Sequence, residues 1–133
     1  MTRRQPRVRA CTPAEARGRR DQARAFLDVA DAVLSDCRRE AHVAAALAVL
    51  AGIAAADAIC GIRLKQWSRS EDHGAAVSLL ETVDLADPTL PAKLRRLLAE
   101  KDLVHYSPNL VTVSSARSMI RSAKALLAEA EGP

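Results

Sequence analysis

The chain has 133 residues, 20 Lys and Arg against 16 Asp and Glu, and 49% apolar residues, which bounds it to one domain able to bury a core without cross-links. No run reaches the roughly 18 uninterrupted apolar residues of a membrane span. Its three cysteines, Cys11, Cys37 and Cys60, share no C-x-x-C spacing, which argues against a disulfide frame or a zinc knuckle and for reduced thiols.

The charge is uneven along the chain. Residues 1–20 hold seven arginines against one glutamate, +6, while residues 21–133 hold 13 cations against 15 anions, −2. Residues 1–11 are therefore expected to form a flexible basic tail, and residues 12–133 a single helical bundle domain. Arg3, Arg4, Arg7 and Arg9 are candidate nucleic-acid contacts acting through counterion release. The plainer reading of the tail is a solubilising leader. No apolar stretch follows these arginines, so no secretory signal is expected and the predicted location is cytoplasmic, away from membranes.

The first helix is announced by "CTPAEARGRR", with Thr12 as N-cap, Pro13 at the first helical position and Glu15 completing a capping box. The stripe Ala23, Phe26, Leu27, Ala30, Val33 and Leu34 carries it to about residue 34. Ser35 and Asp36 are the expected caps of a second, longest helix over about residues 38–64. Leu50, Ile53, Asp57, Cys60 and Leu64 fall on one seam of that helix, surrounded by alanines and by Gly52 and Gly61. Small residues on several faces let neighbours approach closely, so this helix reads as the centre of a bundle. Gly52 costs about 1 kcal/mol relative to alanine in an exposed helix, which predicts a contact there that tolerates no side chain.

"KQWSRSEDHG" is a polar connector in which Ser70 is positioned to cap a third helix, with Glu71 and Asp72 in its first turn. Two prolines then interrupt the chain before a fourth helix over about residues 91–105. Ser107-Pro108-Asn109 turns it. "LVTV" reads as an extended connector, and Ser114 or Ser115 as the cap of a final helix. The predicted fold class is all-α: an up-and-down bundle of four main helices plus one short one.

Candidate chemistry gathers on two stretches. Asp57 lies on the seam of the central helix, where a carboxylate is expensive unless paired. It reads either as a satisfied structural contact or as part of a polar cleft with His73 and Asp102. In "KDLVHY", Lys101 and His105 are four apart and share a helical face. A cation beside an imidazole suits phosphodiester chemistry, the cation holding phosphate and the histidine moving a proton, with Tyr106 positioning substrate. The plainer reading is that Lys101 and His105 meet the carbonyl end of the helix. His42 is expected to cap or pack. Three histidines on separate helices lack metal-ligand spacing, so neither a metal nor another cofactor is expected.

The segments "AGIAAADAICGIRL", "SRSEDH" and "KDLVHY" resemble those of the HEPN superfamily, in particular small HEPN-like proteins of high-GC bacteria, over about residues 22–130. The resemblance implies an up-and-down helical bundle, commonly a homodimer, of toxin–antitoxin, phage-defence and RNA-processing systems. Active members are metal-independent ribonucleases using an Arg and a His four to six residues apart, paired across the dimer. His105 matches the histidine. Glu100 and Lys101 stand where the arginine is expected, and a lysine lacks the planar fork of an arginine. The expectation is thus a HEPN-like binding or regulatory module with a degenerate ribonuclease motif, working with RNA, a cognate toxin or antitoxin, or a nucleotidyltransferase. One alternative is a metal-independent RNase using Lys101, His105 and Tyr106. Another is a nucleic-acid-binding protein driven by the arginine tail.

Overall fold

The structure, a computed structural model, describes residues 8–68 and 73–132. In chain order it contains β1 (Val8–Ala10), α1 (Pro13–Val33), α2 (Arg38–Leu64), β2 (Gln66–Ser68), α3 (His73–Glu81), α4 (Leu90–Ala99), α5 (Lys101–His105) and α6 (Val113–Glu131). The chain is mostly helical, as its apolar periodicity predicts, with a short two-stranded ribbon added.

Helix α1 starts at the predicted capping box. The Thr12 hydroxyl accepts from the Glu15 N–H at 3.1 Å, and the Glu15 carboxylate accepts from the Thr12 N–H at 3.1 Å. Helix α2 has the predicted bounds but a different cap. Its N-cap is Cys37, without a side-chain bond, while Ser35 Oγ accepts from the Cys37 N–H at 3.0 Å. Asp36 instead turns outward to Arg117 at 2.9 Å.

Helix α2 is the axis of the bundle, packing chiefly against α1 and α6. It is long and apolar enough to cross a membrane by length and composition, and 67% of that apolar window is buried inside the bundle. Its alanines bring the neighbouring helices close. A Cβ on Gly52 would sit 2.6 Å from Leu97 Cδ1 and 3.6 Å from Leu126 Cδ1, so the predicted intolerance of a side chain there is met by α4 and α6. A Cβ on Gly61 would meet Cys11 Sγ at 2.6 Å and Ala16 Cβ at 3.0 Å. Besides Val49 and Ile59 of α2 itself, the largest fully buried side chains, Leu80, Leu90, Leu94, Leu97 and Leu126, come from the shorter helices and fill the space around this slender axis. Each such burial contributes roughly 1.5–3 kcal/mol.

The ribbon changes the reading of the amino-terminal segment. Val8, Arg9 and Ala10 pair antiparallel with Ser68, Trp67 and Gln66. Cys11 is buried and donates its N–H to the Lys65 carbonyl at 2.9 Å. Residues 8–11, expected within the flexible tail, thus belong to the folded body. The reason is Trp67, which buries its ring against Cys11 and Ala16 and is covered by the Arg9 guanidinium at 4.1 Å.

The fourth predicted helix is divided. The Glu100 N–H is shared between the carbonyls of Arg96 (3.3 Å) and Leu97 (3.2 Å), a tightened turn that separates α4 from α5. Helix α6 begins earlier than expected because Thr112, not Ser114 or Ser115, caps it, accepting from the Ser115 N–H at 3.0 Å. The connector before it is extended, as read from "LVTV", and two side chains of α2 pin it. His42 Nε2 meets the Val104 carbonyl at 2.8 Å, and its Nδ1 accepts from the Val111 N–H at 3.1 Å. Arg38 donates to the carbonyls of Leu110 (2.8 Å) and Val111 (3.4 Å). The proposed cap of the third helix, Ser70 with Glu71 and Asp72, lies outside the described residues.

Candidate functional site

A hollow of about 530 Å³ opens between α2, α3 and the α4–α5 pair. Ile53, Leu94 and Leu98 give it an apolar floor, and Asp57, Ser68, His73, Lys101 and Tyr106 supply its polar groups. Asp57 reaches it from the central helix, Ser68 from the end of the ribbon and His73 from the first turn of α3. Lys101 and Tyr106 bracket α5.

Inside the hollow, Lys101 Nζ lies 3.0 Å from His73 Nε2. An ammonium has only donors, so the imidazole accepts through Nε2 and carries its own proton on Nδ1. The contact therefore pairs a donor on Lys101 with an acceptor on His73. Asp57 is tied differently: both Nε and Nη2 of Arg19 donate to its Oδ2, at 3.1 and 2.8 Å. Burial raises the Asp57 pKa above its ordinary value, and the Arg19 bonds offset this only in part. Tyr106 is 78% exposed and stands at the rim.

Of the residues expected to act together, Asp57, His73, Lys101 and Tyr106 share this hollow. His105 does not line it. The long Lys101 side chain reaches across to His73, whereas His105 stays at the exposed surface beside Tyr106, their ring centroids 6.3 Å apart. Asp102 is exposed too, and its carbonyl closes α5 by accepting from the N–H groups of Tyr106 and Ser107. Glu100 borders another hollow, with Arg96 and Ser115. Arg9 is engaged by Glu15 at 3.2 Å and by the Trp67 ring. Arg3, Arg4 and Arg7 lie outside the described residues.

Two charged residues of structural weight carry no motif. Arg19, the partner of Asp57, is one. The other is Glu129, whose buried carboxylate accepts from Arg63 (2.9 Å) and from the N–H groups of Ala86 (3.3 Å) and Asp87 (3.1 Å). It organises the loop joining α3 to α4, beside a hollow of about 730 Å³. Burial alone would raise its pKa, but the two backbone donors and Arg63 outweigh this and lower it. Cys11 and Cys60 are buried, and burial pushes the Cys60 thiol up to about 12, which leaves it unreactive. Among the described residues no three His, Cys, Asp or Glu side chains gather as a metal site.

No protein-family model, curated protein or solved structure matches this chain.

Proposed function

We propose that the chain is a HEPN-like helical binding and regulatory module, and that the Asp57–His73–Lys101 hollow receives a phosphate group of RNA. The observation that carries this reading is the 3.0 Å contact of Lys101 with His73, on a hollow open to solvent. Asp57 is already neutralised by Arg19, so the ammonium of Lys101 is the charge left for a ligand. A phosphate there makes charge-assisted hydrogen bonds. In this reading the module works in the cytoplasm as a homodimer, in a toxin–antitoxin, defence or RNA-processing setting. Its partner there is a cognate toxin, antitoxin or nucleotidyltransferase.

A second reading, metal-independent RNA cleavage, is favoured by the same pair. A phosphate that draws the Lys101 ammonium toward itself frees His73 Nε2 to accept a proton from the attacking 2′-hydroxyl as its oxygen bonds to phosphorus, while the P–O5′ bond breaks and the departing 5′-oxygen takes a proton from water. His73 then takes the role that the sequence pattern suggests for His105.

The test is RNA binding and cleavage by chelator-treated protein. Lys101→Ala and His73→Ala are expected to weaken binding about tenfold or more, the worth of one charge-assisted contact, and His105→Ala to change it less than twofold. Cleavage lost in His73→Ala but kept in His105→Ala selects the enzyme reading. Loss of binding in His105→Ala alone removes the hollow from the account.

A further inference from the structure

A second hollow, about 450 Å³, opens where the start of α1 meets the ends of α2 and α6. It has no lining residue in common with the Lys101–His73 hollow. Four cations border it, Arg17, Arg20, Arg63 and Lys65, against two carboxylates, Glu129 and Glu131. Both carboxylates are engaged within the fold. Glu129 holds Arg63 and two backbone N–H groups, and Glu131 pairs with Arg24. Arg20 leans on Asp21 at 3.5 Å. Arg17 and Lys65 are exposed, and their side chains form no ion pair or hydrogen bond among the described residues.

The backbone adds a second observation. Lys65 is the one non-glycine residue among those described with a positive φ, 56°, closing α2 in the left-handed conformation. Glycine or asparagine fills such a position with less strain. The chain keeps a long cation there, aimed at a basin already rich in guanidinium groups. Ile62, Pro13 and Ala130 are the apolar parts of its wall, and no aromatic ring lines it for stacking on a base. Such a site recognises the phosphate and not what carries it.

We propose that this basin is a phosphate-binding site, held by Arg17 and Lys65 with Arg20 as the third cation. The arginine forks grip phosphate oxygens in pairs and the lysine supplies a point charge. The ligand is a phosphoryl group, borne by a small phosphorylated molecule or by a nucleic-acid backbone.

The test titrates the full chain with inorganic pyrophosphate and, separately, with a single-stranded DNA oligonucleotide. The variants are Arg17→Gln, Lys65→Asn and the double change. Asparagine tolerates the left-handed backbone and glutamine suits an exposed helix, and thermal melting checks that each variant folds. The control is Arg96→Gln, an exposed cation bordering a different hollow. Pyrophosphate is expected to bind the parent chain, about tenfold more weakly to either single variant, and undetectably to the double variant. Arg96→Gln is expected to stay within about twofold. If the oligonucleotide follows the same order, with a salt slope falling by about one per cation removed, the ligand is a nucleic-acid backbone. If only pyrophosphate responds, it is a small phosphorylated molecule. The proposal is overturned if neither probe binds the parent chain, if Arg96→Gln weakens binding as much as the basin variants do, or if a folded double variant keeps parental affinity.

Discussion

Asp57 is a carboxylate whose surroundings disagree about its charge. Burial raises its pKa from 3.8 and the Arg19 bonds lower it, with burial prevailing. The folded chain therefore holds that proton more tightly than the unfolded chain does. The stability it contributes is fully present below pH 3.8 and is lost as pH rises through the raised folded value. Asp57→Asn keeps an oxygen for Arg19 and removes the titration. Urea unfolding is expected to find it at least as stable as the parent chain at neutral pH, with the difference vanishing under acid conditions. A variant weaker by more than about 1 kcal/mol at neutral pH would mean that the ion pair outweighs desolvation. That Asp57 needs a partner was legible in the sequence, because it falls on the seam of an apolar helix. The identity of Arg19 was not, since it depends on how α1 lies along α2. A turn near residues 34–37 makes these helices antiparallel, but positions equidistant from it would set Asp57 opposite about residue 14, and only the register in which the helices pack brings Arg19 there instead. His73 was missed as the partner of Lys101 for a similar reason. Helical spacing favours His105, while a four-carbon side chain reaches past its own helix.

At the scale of elements, capping and periodicity located most helices well. The Thr12–Pro13–Glu15 box and the span of α2 are local signals, and local signals survive folding. The Thr112 cap is local too, one hydroxyl chosen among Thr112, Ser114 and Ser115, whereas the hold of His42 and Arg38 on residues 104, 110 and 111 is a link that no window of sequence contains. The ribbon was illegible because three residues per strand give no alternation to read. Helix approach yields a testable ranking. Gly61→Ala pushes a methyl toward Ala16 Cβ, an atom fixed by its backbone, as well as toward Cys11. Gly52→Ala meets chiefly the tip of Leu97 and regains about 1 kcal/mol of helix propensity. Chemical denaturation is expected to show Gly61→Ala destabilised by about 2 kcal/mol and Gly52→Ala by less. The reverse order would mean that the contact of α1 with α2 is more yielding than the Leu97 pocket.

Across the whole molecule, Glu129 joins three separate parts: its own helix α6, Arg63 near the end of α2, and the loop at residues 84–87, which Arg63 also reaches through the Asp84 carbonyl at 3.1 Å. Its pKa is lowered, so its contribution is present above pH 4.5 and lost as pH falls through the folded value. Glu129→Gln places an amide among donors and is expected to cost about 2 kcal/mol, a fall in melting temperature of roughly 6 °C. A smaller fall at neutral pH than in acid would contradict this assignment. The sequence offers no hint of this knot, because a glutamate near the end of an amphipathic helix looks like any solvated one.

The ribbon has one more consequence. Ser68 belongs both to its last rung, opposite Val8, and to the wall of the Lys101–His73 hollow. Whatever tugs on the chain ahead of Val8, whether a fused tag, a protease or a bound partner, pulls on a lever whose far end is that wall.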